Sequence, residues 1–291
     1  MTNCFCGKQP IINTRTPLCS KHFCQSLEKT IQYTIQKFQM FTQKDKIAVA
    51  CSGGKDSMTL LYILNKLKFN VTAIAIDEGI ETYRTFTLKF LEQFCKKHNI
   101  PYKKNSFKNH TGLTMDQVIK KSKISPCRIC GTWRRYLLGK TSKNYDVLAT
   151  GHNLDDEAQT ILMNIINCNF NFMNRIGPTT HKNPKNNFPK KVKPLYFCHE
   201  KEIATYAYTK KILTKFNECP NFQESFRNFI TETINNLENK TKGFKKNLIQ
   251  TFLKQKNPTT QPTTTNCTTC GEISSKKTCS SCTFIETLIV N

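Results

Sequence analysis

Lys46-Ile-Ala-Val-Ala-Cys51 runs into Ser52-Gly-Gly-Lys-Asp-Ser57 and then into the apolar segment Met58–Leu67. The first run has the length and branching of a buried strand, and the last has the length of a helix. Between them Gly53 and Gly54 let the backbone come close to a phosphate, and successive N–H groups there form an anion cradle. The helix that starts near Asp56 turns its positive end toward the same point. Lys55 adds a full charge, and Ser52 and Ser57 add hydroxyls. The Gly-x-x-x-x-Gly-Lys-Ser/Thr spacing of a Walker A loop is absent.

Working outward, Leu27–Phe41 reads as a helix upstream of this unit. Downstream, Val71–Ile76 is a second buried strand and Tyr83–His98 an amphipathic helix. Pro101 marks the start of the next strand. Asp146–Thr150 is a later strand that ends at Gly151-His-Asn, followed by a helix over Asp155–Asn167 with Asp155 as a candidate N-cap. Strands alternating with helices predict an α/β fold, a doubly wound parallel sheet with helices on both faces. Residues 168–194 carry Pro, Asn and Lys without periodicity and read as a basic loop. Helices resume at about 199–212, 222–238 and 243–255. Residues 257–266 are a linker by composition. The organisation expected is a metal module at 1–28, a central domain at 29–256, the linker, and a second metal module at 267–291.

Fifteen cysteines in a chain that opens without an apolar signal segment point to metal rather than to a disulfide framework. Cys267-x-x-Cys270 and Cys279-x-x-Cys282 are two pairs that fit one tetrahedral zinc site. Near the N-terminus Cys4, Cys6, Cys19, His22 and Cys24 crowd together, a less regular set of candidate ligands for a second metal. Cys127-Arg-Ile-Cys130 places two thiols at i, i+3, and Cys219 supplies a third from a remote loop. Three protein ligands leave one position open, which suits catalysis better than a closed structural site. A persulfide carrier with a disulfide partner uses the same thiols without iron. Cys95 lies in an apolar helical pattern and reads as core filler.

Forty-four basic residues against twenty acidic give a net charge of +24. Compositional bias accounts for part of the lysine count but not for the scarcity of Asp and Glu. A surface of this charge attracts a polyanion, and nucleic acid is the expected one. No run of 18 apolar residues occurs, so no membrane span is expected, and the chain is read as cytoplasmic.

The loop Ser52–Ser57 resembles the PP-loop of ATP pyrophosphatases, which cleave ATP between the α and β phosphates. That resemblance implies that Ser52, Gly53, Gly54, Lys55, Asp56 and Ser57 hold the pyrophosphate portion of ATP, and that Asp77-Glu-Gly79-Ile80 lies beside the adenosine. With Cys127, Cys130, Cys219, Gly151-His-Asn-Leu-Asp-Asp-Glu157 and the terminal cysteine modules, the chain resembles the TtuA and wobble-uridine thiolase family of tRNA 2-thiouridine synthases over nearly its whole length. The resemblance implies a 4Fe–4S cluster on the three cysteines with one iron free to carry sulfide, Mg²⁺ beside the phosphates, and Asp156 as a functional acid. Gly151 and Asp156 fall at its nucleotide site. The family's N-terminal pattern, Cys-x-x-Cys and then two further ligands, implies a zinc with Cys6, Cys19 and His22 as the firmer ligands, Cys4 as the fourth, and Cys24 as its substitute if Cys-x-Cys cannot close. Arg134 stands where one branch has a functional lysine, so substrate or phosphate binding is expected there rather than proton transfer. The family's sulfur source is a ubiquitin-like carrier protein or sulfide, and its members commonly dimerise. Asp77–Arg84 and the pair Arg134-Arg135 look more like the wobble-uridine branch than the T-loop branch. The reading from another class is a zinc-containing RNA-binding protein with an inactive nucleotide loop. Candidates for gripping tRNA phosphates are the basic loop Cys168–Lys193 and the lysine-rich C-terminal helices.

Overall fold

The expected first strand forms as β1, Ile47–Ala50, at the centre of a five-stranded sheet in the computed structural model, which describes residues 3–13, 16–180, 188–212, 219–221, 226–256 and 265–289. Its neighbours are β2 (Val71–Asp77), β3 (Tyr102–Ser106), β4 (Val147–Thr150) and β5 (Lys190–Val192). The order is β3-β2-β1-β4-β5, and every pairing is parallel. Val49 sits between Ala73 and Ala149 in register.

Alternation along the strands explains the layers. Ile47, Val49, Val71, Ala73, Ala75, Val147 and Ala149 face one side and join the core under α1 (Ser20–Lys37), α2 (Lys55–Lys66), α3 (Glu81–Lys97) and α6 (Glu200–Thr209). Ala48, Ile74 and Leu148 face the other side, where Leu138 of α4 (Pro126–Thr141) meets them. Between α4 and α6 in sequence comes α5 (Leu154–Ile166), which packs with α7 (Phe226–Lys240) and α8 (Phe244–Gln255) around Ile161, Tyr196, Ile230 and Ile249. With helices on both faces, the sheet is doubly wound as expected.

Several elements differ from the expectation. Helix α1 begins at Ser20 rather than Leu27, because its buried stripe starts at Phe23 and continues through Leu27, Ile31 and Ile35. It stops once Gln39 takes a positive φ of 44°. Residue 28, the expected module boundary, therefore lies inside a continuous helix. The basic loop at 168–194 contains a short helix, Phe170–Met173, and the edge strand β5. Helix α4, which the sequence reading did not contain, carries two of the candidate cysteines. The linker over 257–264, residues 181–187 of the basic loop and the first four residues of the helix expected at 222–238 lie outside the described residues.

Each terminal module is a two-stranded antiparallel ribbon followed by a helix. Ile12–Asn13 pairs with Pro17–Leu18 ahead of α1, and Thr265–Asn266 pairs with Ile273–Ser274 ahead of α9 (Ser280–Ile289). The C-terminal module leans on α4. The indole Nε1 of the fully buried Trp133 donates to the Ser281 carbonyl at 3.3 Å, and Leu288 enters the core around Ile129 and Trp133.

Candidate nucleotide and thiol site

The strand order reverses between β1 and β4, so the chains leaving these two strands diverge and open a crevice at their carboxyl ends. Ligands of open α/β sheets bind in such crevices. Ser52–Ser57 follows β1, and Gly151-His152-Asn153 follows β4. The two turns touch: a Cβ on Gly151 would stand 2.9 Å from the Ser57 backbone nitrogen and 3.1 Å from Asp56 C. Gly53 has a φ of +80°, and a Cβ there would strike the Thr87 carbonyl oxygen at 2.4 Å. Both glycines are thus required by backbone approach.

The loop is braced from within. Ser57 Oγ donates to the Gly54 carbonyl at 3.0 Å and accepts from the Ser52 amide at 3.2 Å, while the Gly54 amide reaches Ser52 Oγ at 3.3 Å. Gly54 is the N-cap of α2 and offers no side-chain cap, so the first amides of the helix are available to an anion. Lys55 Nζ donates to Glu200 Oε1 at 2.5 Å and to Asp56 Oδ2 at 3.3 Å. Burial in the cleft pushes Asp56 up to about 6, with Asp156 and Glu200 adding repulsion and Lys55 opposing it.

Asp155 is not the cap of α5. Asn153 is: its Oδ1 accepts from the Asp156 amide at 3.0 Å, and Asp156 Oδ2 accepts from the Asn153 amide at 3.2 Å. The side chain of Asn153 also donates to Asp56 Oδ1 at 3.3 Å, tying the two turns together. Asp156 keeps its other oxygen toward Arg227 Nη1 at 3.2 Å. Asp155 turns away to an ion pair with Lys245 at 2.5 Å, both largely buried, and to the Glu200 amide at 2.8 Å, which is a structural role. Asp77 Oδ1 accepts from the Gly79 amide at 3.0 Å and shapes the turn after β2. In that turn Gly79 has a φ of +71°, with Thr114 packed where a Cβ would be.

Cys127 and Cys130 occupy the first turn and a half of α4, which starts at Pro126 and carries no acidic residue in its first turn. Cys219 is brought to them from a distant segment. Cys127 Sγ donates to the Asn221 carbonyl at 3.5 Å, and Asn221 Nδ2 approaches Cys219 Sγ at 3.9 Å. Burial raises the Cys130 thiol to about 11, and burial together with the neighbouring Cys219 raises Cys127. Among the described residues the sulfurs of these three do not form a mutual 4.8 Å group, whereas both terminal modules do. A single tetrahedral zinc with bonds of about 2.3 Å needs ligand sulfurs within about 4 Å. A polynuclear cluster holds them further apart, so three convergent but separated thiols fit a cluster better than one ion.

Next to Cys130 stands Arg134, one helical turn on. Its Nη2 donates to Cys130 Sγ at 3.1 Å, and its Nε pairs with Glu78 Oε1 at 2.8 Å. The other oxygen of Glu78 pairs with Arg84 Nε at 2.5 Å, and the Arg84 guanidinium caps the carbonyls of Ser52 and Ile76. The Arg134 side chain is 47% exposed, so its guanidinium keeps a face open to a ligand while it holds Glu78 and Cys130. The nucleotide loop is therefore linked to the turn after β4 through Asn153 and Asp56, and to the thiol-bearing helix through Arg84, Glu78 and Arg134.

The terminal modules each gather four donors: Cys4, Cys6, Cys19 and His22, and Cys267, Cys270, Cys279 and Cys282. Cys4 completes the first group, while Cys24 points into the core beneath α1. Backbone amides of Cys279 and Cys282 donate to Cys267 Sγ at 3.2 Å and Cys279 Sγ at 3.4 Å. Such amides favour thiolates, and those of Cys279 and Cys270 lower Cys267 to about 6. Cys4 also falls to about 6, where the Cys6 and Cys19 amides and His22 outweigh desolvation. These donor sets fit a tetrahedral zinc ion. A separate cavity of about 520 Å³ lies beside the N-terminal module, away from the crevice, and is lined by Lys8, Lys21, Cys24, Glu28, Lys66 and Lys210.

Glu78, Arg84, Asn153, Glu200 and Arg227 take part in this site without having been singled out by the sequence. Glu78 and Arg84 fall inside the stretch Asp77–Arg84 quoted for its resemblance, which was their only signal. Nothing local marks Glu200 or Arg227.

A family model described as a PP-loop domain matches residues 27–238. The chain is 34% identical over 257 residues to the tRNA-5-methyluridine(54) 2-sulfurtransferase of Pyrococcus horikoshii, covering 87% of this chain and 82% of that protein. It is 32% identical to the cytoplasmic tRNA 2-thiolation protein 1 of Drosophila ananassae, covering 97% and 86%. Among solved structures it is similar to the U34-tRNA thiolase NcsA of Methanococcus maripaludis with its 4Fe–4S cluster, at a TM-score of 0.85 and 30% identity, covering 99% of this chain and 97% of that one.

Proposed function

Because the chain belongs to the PP-loop family and, within it, to the tRNA 2-thiolation proteins, we propose that it uses ATP to replace the C2 oxygen of a tRNA uridine with sulfur. The observation that carries this reading is the tie between the anion loop and the thiols: Ser52 is joined through Arg84, Glu78 and Arg134 to Cys130, with Cys127 and Cys219 gathered around Asn221 nearby. An RNA-binding protein with an inactive loop needs neither the open amides of α2 nor three convergent thiols.

In the first step the uridine C2 oxygen attacks the α-phosphorus of ATP, and the bond to pyrophosphate breaks. The loop amides and Lys55 hold the departing pyrophosphate, for which Lys55 must exchange Glu200 for phosphate oxygens. Asp56 and Asp156 offer carboxylates to Mg²⁺, which screens the phosphates when bound. Attack through the C2 oxygen releases the N3 proton, and we assign Asp156, oriented by Asn153 and Arg227, to accept it. In the second step hydrosulfide adds at C2, AMP leaves, and the hydrosulfide proton restores N3–H. Cys127, Cys130 and Cys219 would hold a 4Fe–4S cluster, whose chemistry when bound would be to present the sulfur nucleophile. Arg134 beside Cys130 serves the phosphates of the activated base, as a guanidinium does, without proton transfer.

The proposed substrate position is the wobble uridine. Supporting it are the pair Arg134-Arg135, the stretch Asp77–Arg84 and a structural likeness to a U34 thiolase over 99% of the chain. An anticodon loop also presents its bases unstacked, so one can enter the crevice while stem phosphates rest on the basic surface. The T-loop uridine is the second reading, favoured by the 34% identity to the Pyrococcus enzyme. We further propose zinc in the two terminal groups, a ubiquitin-like carrier or sulfide as sulfur donor, a homodimer, and the cytoplasmic location that the Drosophila relative's name carries. No helix among the described residues is long and apolar enough to cross a membrane. The test is anaerobic incubation with ATP, sulfide and a lysine tRNA transcript, followed by nucleoside mass spectrometry. 2-Thiouridine with iron-loaded protein is expected, and equal yield from iron-free protein would overturn the cluster reading.

A further inference from the structure

A single buried carboxylate ties the nucleotide loop to the thiol site. Glu78 leaves the end of β2 with its side chain 5% exposed. Its backbone is fixed, because the Met115 amide donates to the Glu78 carbonyl at 2.8 Å and Gly79 is wedged against Thr114. One oxygen meets Arg84, 3% exposed, and the other meets Arg134. Arg84 ends on the carbonyl of Ser52, the first residue of the loop, and is steadied by Thr87 Oγ1 at 3.1 Å. Arg134 ends on Cys130 Sγ at 3.1 Å. The chain Ser52–Arg84–Glu78–Arg134–Cys130 runs through hydrogen bonds at its two ends and ion pairs at its middle, with two guanidiniums sharing one carboxylate.

Burying the charges of Glu78 and Arg84 is expensive unless each is held in place by the other, and Glu78 also takes the half-exposed Arg134 as a second partner. A fold that only needed to close the end of β2 could do so with an apolar side chain. The arrangement instead fixes the distance and orientation between the loop and one cysteine. We propose that Glu78 is a positioning residue that couples the two half-sites: it sets Arg134 against Cys130 and Arg84 against the loop, so that occupation of the nucleotide loop is felt at the thiols. This rests on the reading of Cys127, Cys130 and Cys219 as cluster ligands. Partners that orient metal ligands typically change affinity or activity by about 10–100-fold when removed. A guanidinium donating to a cysteine sulfur also stabilises the reduced cluster, since hydrogen bonds to sulfur tune its potential.

The test compares wild type, Glu78→Gln and Arg134→Gln as anaerobically purified, full-length proteins. Arg134→Gln leaves the buried Glu78–Arg84 pair intact, so it reports even if Glu78→Gln does not fold. Three quantities are read: iron per chain, the electron paramagnetic resonance spectrum of the reduced protein with and without a non-hydrolysable ATP analogue, and the midpoint potential. Wild type is expected to change its spectrum when the analogue binds. Both variants should keep their iron and bind the analogue, yet lose that change, show a more negative potential, and transfer sulfur about 10–100-fold more slowly. A wild-type spectrum indifferent to the analogue, or variants that respond as wild type does, would overturn the coupling while leaving thiolation untouched. Wild type without iron would overturn the cluster reading, and the coupling with it.

Discussion

Asp56→Asn is expected to stabilise the nucleotide-free protein at neutral pH while removing its ATP chemistry. Burial in the crevice, with repulsion from Asp156 and Glu200, raises this carboxyl from 3.8 to about 6 against the attraction of Lys55. Each pH unit is worth about 1.4 kcal/mol, so the charged form costs the fold at most about 3 kcal/mol. The side chain is 26% exposed, and water screening reduces the figure to roughly 1–3 kcal/mol. The sign follows from proton uptake. Below about pH 4 the carboxyl is protonated in both the folded and the unfolded chain, so it has no effect. From about pH 4 to 6 the folded chain keeps a proton that the unfolded chain has lost, and stability falls as pH rises. Above pH 6 both are charged and the full loss remains. The variant carries no such charge, so its advantage should grow from near zero at pH 4 to a plateau above pH 6.5. Thermal and urea unfolding without nucleotide or divalent metal would read this as a gain of roughly 2–10 °C at pH 7.5. An advantage that is absent at pH 7.5, or equal at pH 4 and 7.5, would refute the reasoning that the site holds Asp56 at a cost.

Lys55→Ala should retain tRNA binding in a filter assay and lose release of AMP and pyrophosphate; ADP and phosphate as the wild-type products would contradict the PP-loop chemistry. Gly151→Ala forces a methyl against the Ser57 backbone, a strain of about 1–3 kcal/mol, and calorimetry should show nucleotide affinity down by tenfold or more. Metal analysis should find one zinc fewer in Cys4→Ala and no loss in Cys24→Ala, because only Cys4 joins the four-donor group. Trp133→Ala empties a fully buried site shared by α4 and α9, so a loss of about 3–5 kcal/mol in stability is expected by denaturant titration.

The sheet was legible where its strands were apolar. Ile47–Ala50, Val71–Asp77 and Val147–Thr150 carry uninterrupted buried side chains, and their spacing with helices gave the doubly wound class. The edge strands were harder. Tyr102–Ser106 reads polar after its first residue and was placed only by Pro101, and Lys190–Val192 is three residues held by pairing to β4, with no pattern of its own. Helix α4 was hidden because Cys, Arg, Gly and Thr break its apolar stripe, although Pro126 at its first turn fits a helix start. The anion loop and the thiols could be found because their chemistry depends on local spacing. Glu78, Arg84 and Glu200 could not, since what makes them matter is a partner far away in the chain. Spacing alone could not choose between Cys4 and Cys24 either; in the fold Cys4 joins the four-donor group while α1 turns Cys24 into the core.

Thiolation and nucleotide turnover have to be counted together. With anaerobically purified protein, excess sulfide and a limiting lysine, glutamate or glutamine tRNA transcript, 2-thiouridine and AMP should appear in equal amounts, with the sulfur mapped to the anticodon fragment by nuclease digestion and mass spectrometry. Sulfur only in the T-loop fragment would move the site while keeping the reaction. AMP formed without 2-thiouridine, or 2-thiouridine formed without AMP, would contradict the claim that one crevice activates the base with ATP and delivers sulfur to it.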